Sequence, residues 1–124
     1  MIFDTNFLIH LEREAVRGEH GRASQFLARH RGESQAISLI SVGEFLAGCA
    51  DLAAARRFLA RFKWLEFSRA VAVRGGILDR ELLRRGEPLS ENDTWIVATA
   101  LANNRPLVTE EDFSRVRGLT VVSY

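Results

Sequence analysis

Four acidic residues stand apart from the other carboxylates of this chain. Sixteen residues are Asp or Glu, and most fall on helical faces beside arginines. Asp4 instead closes a first short apolar run, and Glu44 lies just beyond a second. Asp93 opens an apolar helical stretch, and Asp112 follows the pair Leu107-Val108. Oxygen ligands without a His or Cys cage favour a hard cation, Mg²⁺ or Mn²⁺. Like charges gathered that closely require a divalent cation, protons or arginines to neutralise them. Each acid also has a structural reading. Ser41-x-x-Glu44, Ser90-x-x-Asp93 and Thr109-x-x-Asp112 match the capping-box pattern, and Asp4 suits a helix N-cap. The two readings are compatible, because a helix N-terminus favours the ionised carboxylate that a metal requires. The four acids share one property: each stands at a strand-to-helix transition, which predicts that they share one rim of a sheet.

The elements that must position them are legible in the hydrophobic pattern. Met1-Ile2-Phe3 reads as a strand that passes at Asp4-Thr5-Asn6 into a helix carrying Phe7, Leu8 and Leu11. A second helix is predicted from Gly21 to Arg31, with Gly32 as its C-cap. Ala36 to Ile40 reads as a strand, followed by a helix beginning at Ser41 and running to about Gly48. Ala55, Phe58, Leu59 and Phe62 mark another helix, leading to a candidate strand at Leu65-Glu66-Phe67. A long helix from Arg69 to Arg85 stops at Gly86-Glu87-Pro88. The segment Trp95 to Ala102 is apolar nearly all round and predicts a buried helix. Leu107-Val108 and Leu119 to Val122 read as strands, with a short helix over Asp112 to Val116 between them. Short strands alternating with helices predict an α/β/α sandwich around a mostly parallel sheet of about five strands. Ligands of such sheets bind beyond the carboxyl ends of the strands, where the strand order switches.

At 124 residues the chain suits one compact domain, read here as residues 1–124. An ordinary apolar content and a formal net charge of +1 exclude a disordered chain. Arginines or acids interrupt every apolar run before about 18 residues, so no membrane span is expected, and the amino terminus lacks the pattern of a signal peptide. A single cysteine, Cys49, suits a reducing compartment such as the cytoplasm. His10, His20 and His30 are spaced by ten, which suits no single ligand face, and read as solvated. Arg56, Arg57 and Arg61, with Arg80, Arg84 and Arg85, read mostly as solvated faces paired with Asp51, Asp79 and Glu81, the lesser reading being that some grip nucleic-acid phosphates. Trp95 is expected in the core; Trp64, Phe58 and Phe62 are expected in the core or at a subunit interface.

Four segments resemble, in order and spacing, those of the PIN domain, and in particular the toxin ribonucleases of VapBC toxin–antitoxin modules. They are Asp4-Thr5-Asn6-Phe7-Leu8-Ile9, Ser38-x-x-Ser41-Val42-Gly43-Glu44-Phe45-x-x-Gly48, Asn92-Asp93-x-x-Ile96-x-Ala98-Thr99-Ala100 and Leu107-Val108-Thr109-x-x-Asp112-Phe113. The resemblance implies a Mg²⁺- or Mn²⁺-dependent endoribonuclease in which Asp4, Glu44, Asp93 and Asp112 form the acidic quartet. It implies that Asn6 supports the first acid and that Thr109 is the hydroxyl residue beside the last strand. Asp4, Asp93 and Asp112 would hold the metal, with Glu44 as a further ligand or as the group that orients water. The turn Thr109-Glu110-Glu111-Asp112 is tighter than in related toxins, so Glu110 or Glu111 is an alternative fourth acid. An RNA substrate, a small antitoxin protein and homodimerisation are implied as partners. A phosphoacceptor receiver and a haloacid-dehalogenase-type phosphatase are rejected: the first lacks its acidic pair and late lysine, the second its Asp-x-Asp. The remaining alternative is a catalytically weak PIN scaffold that chiefly binds a partner protein.

Overall fold

The computed structural model describes all of residues 1–124. Five two- or three-residue strands, β1 (Ile2–Phe3), β2 (Ala36–Ser38), β3 (Lys63–Leu65), β4 (Leu107–Val108) and β5 (Val121–Val122), form one sheet in the order β3-β2-β1-β4-β5. Every neighbouring pair is parallel, with Ile2 opposite both Ala36 and Leu107. Six helices connect and cover them: α1 (Thr5–Arg17), α2 (Arg22–Arg29), α3 (Leu39–Gly48), α4 (Leu52–Leu59), α5 (Arg69–Arg84) and α6 (Glu91–Ala102). None is long and apolar enough to cross a membrane.

The period-two alternation of the strands splits the core into two layers. Phe3, Ile37 and Val108 turn to one face, where Phe7, Leu8 and Phe26 of α1 and α2 and Val42, Phe45 and Leu59 of α3 and α4 bury them. Ile2, Ala36, Leu65 and Leu107 turn to the other, under Leu78 and Leu82 of α5 and Ile96, Val97 and Ala100 of α6. The sandwich is the one the sequence predicts. Helices α5 and α6 pack closely because Gly75 has no side chain. A Cβ there would stand 2.3 Å from Cζ3 of Trp95. Trp95 also meets Phe67 edge-on, with ring centroids 5.1 Å apart. Trp64 lies on the rim and is 43% exposed, its indole N–H donating to the Leu59 carbonyl.

Several boundaries differ from expectation. The second apolar run becomes helix at Leu39, since the hydroxyl of Ser38 accepts from the Ser41 amide and caps α3 three residues early. Strand β3 starts at Lys63 rather than Leu65, its register set by pairing with Ala36–Ser38. Helix α2 ends at a His30 C-cap, before Gly32. No helix forms over 112–116; this stretch is a succession of turns that lowers Phe113 and Val116 onto the α5–α6 layer. The expected stop after α5 is present, with Gly86 at φ 69°. The expected arginine pairings do not form. Ion pairs join only Arg22 to Glu110 and Arg85 to Glu87, and the His30 ring hydrogen-bonds Glu33. Nor are all histidines solvated: His10 hydrogen-bonds the Tyr124 hydroxyl, and His30 stacks on Phe26 at 4.2 Å.

Candidate active site

The strand order reverses between β1 and β4, and the crevice beyond their carboxyl ends opens at Asp4 and Thr109. Asp4 is the N-cap of α1. Its Oδ1 accepts from the Phe7 amide at 2.8 Å, and its Oδ2 accepts a short hydrogen bond from the Thr109 hydroxyl. Thr109 Oγ1 in turn accepts from the Glu111 amide at 3.0 Å. It therefore fixes the β4 loop to the end of β1 instead of capping a helix. Both Asp4 and Thr109 are buried. That burial holds the Asp4 carboxyl above its ordinary range; the Thr109 and Phe7 hydrogen bonds oppose the rise, and the charges of Glu111 and Asp93 reinforce it.

Glu44 reaches the same rim from the middle of α3. Its Oε1 accepts from the Thr5 hydroxyl at 2.6 Å and its Oε2 from the Asn92 side-chain Nδ2 at 3.1 Å. Thr5 Oγ1 also lies 3.0 Å from Ser41 Oγ, which ties this carboxylate to the Ser38 cap. Asp93 sits in the first turn of α6, where its amide donates to the Ser90 hydroxyl at 3.2 Å. The predicted Ser90 cap is present, and the Asp93 carboxylate makes no hydrogen bond to the protein. Thr5 and Asn92 each adjoin an acid in sequence, so one hydrogen-bond chain links the neighbourhoods of Asp4, Glu44 and Asp93.

Asp112 is exposed and accepts from the Ser114 amide at 3.0 Å. The Ser114 hydrogen bonds, helped by the charge of Arg115, hold its carboxyl below the usual range. Glu111 is the loop acid whose charge acts on Asp4. Glu110 turns instead to Arg22 at the start of α2. Asn6 is exposed and makes no side-chain hydrogen bond; the support of Asp4 comes from Thr109 and the Phe7 amide. Sequence reasoning overlooked the roles of Thr5 and Asn92 in holding Glu44, although adjacency to Asp4 and Asp93 was a usable signal. No three acids, histidines or cysteines stand close enough together to form a complete metal cage.

The PIN domain profile matches residues 1–119, and the chain belongs to this family. No curated protein sequence matches it significantly. It is similar to VapBC2 from Rickettsia felis, solved bound to a promoter DNA fragment, at 25% identity over 100% of this chain and 99% of that one, with a TM-score of 0.80. A toxin–antitoxin complex from Klebsiella pneumoniae is 31% identical over 98% of this chain and 94% of its own, with a TM-score of 0.74. VapBC-1 of nontypeable Haemophilus influenzae, at 22% identity, has the same fold over 99% of this chain and 98% of its own, with a TM-score of 0.80.

Proposed function

We propose that this PIN domain is a metal-dependent endoribonuclease that hydrolyses RNA phosphodiester bonds as the toxin of a toxin–antitoxin pair. The observation that best supports the reading is Asp4, buried at the strand-order switch and held by Thr109 and the Phe7 amide, with Glu44 tethered by Thr5 and Asn92, the sequence neighbours of Asp4 and Asp93. The donor set is all oxygen, which suits Mg²⁺ or Mn²⁺. Asp4 and Asp93 would hold the ion, with Asp112 or Glu111 completing the site. A divalent cation there supplies Lewis-acid polarisation of the phosphate and a lowered pKa for water. The charge of such an ion would favour the ionised form that burial, reinforced by the charges of Glu111 and Asp93, disfavours at Asp4.

The remaining work falls to the protein. Thr109 holds Asp4 in one rotamer through Oδ2. Each oxygen of Glu44 accepts one protein hydrogen bond and keeps a second lone pair, so this carboxylate is anchored yet able to orient and deprotonate a water. The likeness to toxin–antitoxin complexes supports an antitoxin partner; a homodimer and a cytoplasmic location complete the proposal. A second reading, a catalytically weak scaffold that chiefly binds protein, draws on the absence of a preformed three-acid cage. Purified protein incubated with RNA separates the two. Cleavage is expected with Mg²⁺ or Mn²⁺, lost in EDTA, and abolished in Asp93→Asn with the thermal melt unchanged. Wild-type-like cleavage by Asp93→Asn refutes the site.

A further inference from the structure

The face formed by α5 and the turn between β4 and β5 carries a cluster that the acidic rim does not use. A cavity of about 210 Å³ is lined by Arg74 and Arg85 of the α5 region and by Arg115 and Arg117 of the turn, with Glu81 as the one carboxylate in its wall. Arg85 is committed: it donates to the Arg115 carbonyl and pairs with Glu87. No carboxylate lies within ion-pair distance of Arg74, Arg115 or Arg117. Arg115 also contributes the only buried side-chain polar atom of the chain without a hydrogen-bond partner, its Nε. An unsatisfied buried donor is unfavourable, and it is sharply so on a cation. Three guanidinia that make no ion pair around one cavity attract an oxyanion, and phosphate matches the guanidinium fork best.

The cavity shares Arg85, Arg115 and Arg117 with an adjoining hollow. That hollow is also lined by Glu87 and by Ser114, whose backbone amide donates to Asp112. We infer that this arginine cavity binds backbone phosphate of a single-stranded RNA beyond the bond being cut, steering the strand past Asp112. The inference rests on the ribonuclease reading. It adds a positively charged path that the acids, which repel phosphate, do not provide.

The test is binding without cleavage. Fluorescence anisotropy of a labelled single-stranded RNA is measured in EDTA over a range of salt, using the full chain. Arg74 and Arg117 are exposed, so the Arg74→Gln/Arg117→Gln double variant is expected to melt like wild type. It should bind RNA about tenfold more weakly, and its log–log salt slope should fall by about 0.7 for each phosphate that is no longer neutralised. The corresponding double lysine variant should recover the slope, whereas Arg57→Gln on α4, outside the cavity, should leave it unchanged. A double glutamine variant with wild-type affinity and slope overturns the inference while leaving the ribonuclease reading intact. Inorganic phosphate that binds as tightly as the RNA also overturns it, in favour of a small-anion site. So does a variant that keeps RNA but loses an antitoxin. Wild-type protein that neither binds nor cuts RNA removes the underlying reading itself.

Discussion

Asp4 and Glu14 are both carboxylates at helix N-termini, and their surroundings drive them in opposite directions. Glu14, near the end of α1, reaches across to α2, whose own N-cap, Gly21, has no side chain to offer. It accepts from the Ala23 amide at 3.0 Å, the Ser24 amide at 2.9 Å and the Ser24 hydroxyl at 2.6 Å. Burial alone would raise its carboxyl, but these donors outweigh it and hold the group below its ordinary value. Asp4 caps its own helix with fewer donors, is more deeply enclosed, and faces Glu111 and Asp93. One charge is satisfied by the fold and the other is left unfavourable by it. Depth of burial, donor count and like-charge neighbours, not the helix terminus as such, separate a structural carboxylate from one poised to receive a cation.

The largest expected contrast comes from removing the two charges. Asp4→Asn should cut RNA cleavage by roughly 10³-fold, the scale on which one preorganised electrostatic group acts. It should nonetheless raise the unfolding midpoint at neutral pH, because Asn still caps a helix well. The sign follows from linkage. The folded Asp4 carboxyl lies above 3.8, so its ionisation disfavours the fold progressively as pH rises from that value through the folded pKa. The stability gained by Asp4→Asn should therefore vanish in acid and be full at neutral pH. A wild-type protein that Mn²⁺ stabilises, beside an Asp4→Asn protein that it does not, would tie this penalty to metal binding. Loss of stability in Asp4→Asn at neutral pH would break the comparison.

Glu14→Ala should do the reverse: lose about 2 kcal/mol of stability, at the upper end for a lost cap, with no direct effect on the chemical step. Its contribution is present above 4.5 and lost as pH falls through the depressed folded value, measurable by urea denaturation against pH. The smallest effect is at Gly21. A Cβ there would meet Glu14 Cδ at 2.6 Å. Gly21→Ala should cost about 1 kcal/mol by displacing that carboxylate from its donors, and close to nothing in a Glu14→Ala background. Additive costs would show that the two residues do not act as one cap.

Most of the architecture was legible because it depends on local pattern. Helices α1, α5 and α6 announce themselves through apolar spacing and through end signals such as Asp4, Ser90 and Gly86. Where two local solutions competed, the pattern was insufficient. Ser38 and Ser41 are both good caps before an apolar run that reads equally as strand or helix, and packing chose Ser38. Thr109 resembled a cap until its hydroxyl found Asp4, a residue 105 positions away. The trans-acting cap of Glu14 left no mark in the spacing at all, since Gly21 and Glu14 belong to different helices.

The order of residue types along the chain thus determined the alternation of strands and helices and the residues at their junctions, because hydrophobic periodicity and capping operate within a few residues. It also carried the motifs by which the family is recognised. Tertiary structure alone decided how deeply Asp4 is buried, that Thr5 and Asn92 hold Glu44, and that Arg115 makes no ion pair. Those outcomes depend on distances across the sheet between segments brought together only by burying the two faces of β1 and β4. A single carboxylate's ionisation follows its three-dimensional neighbours, and sequence spacing does not encode them.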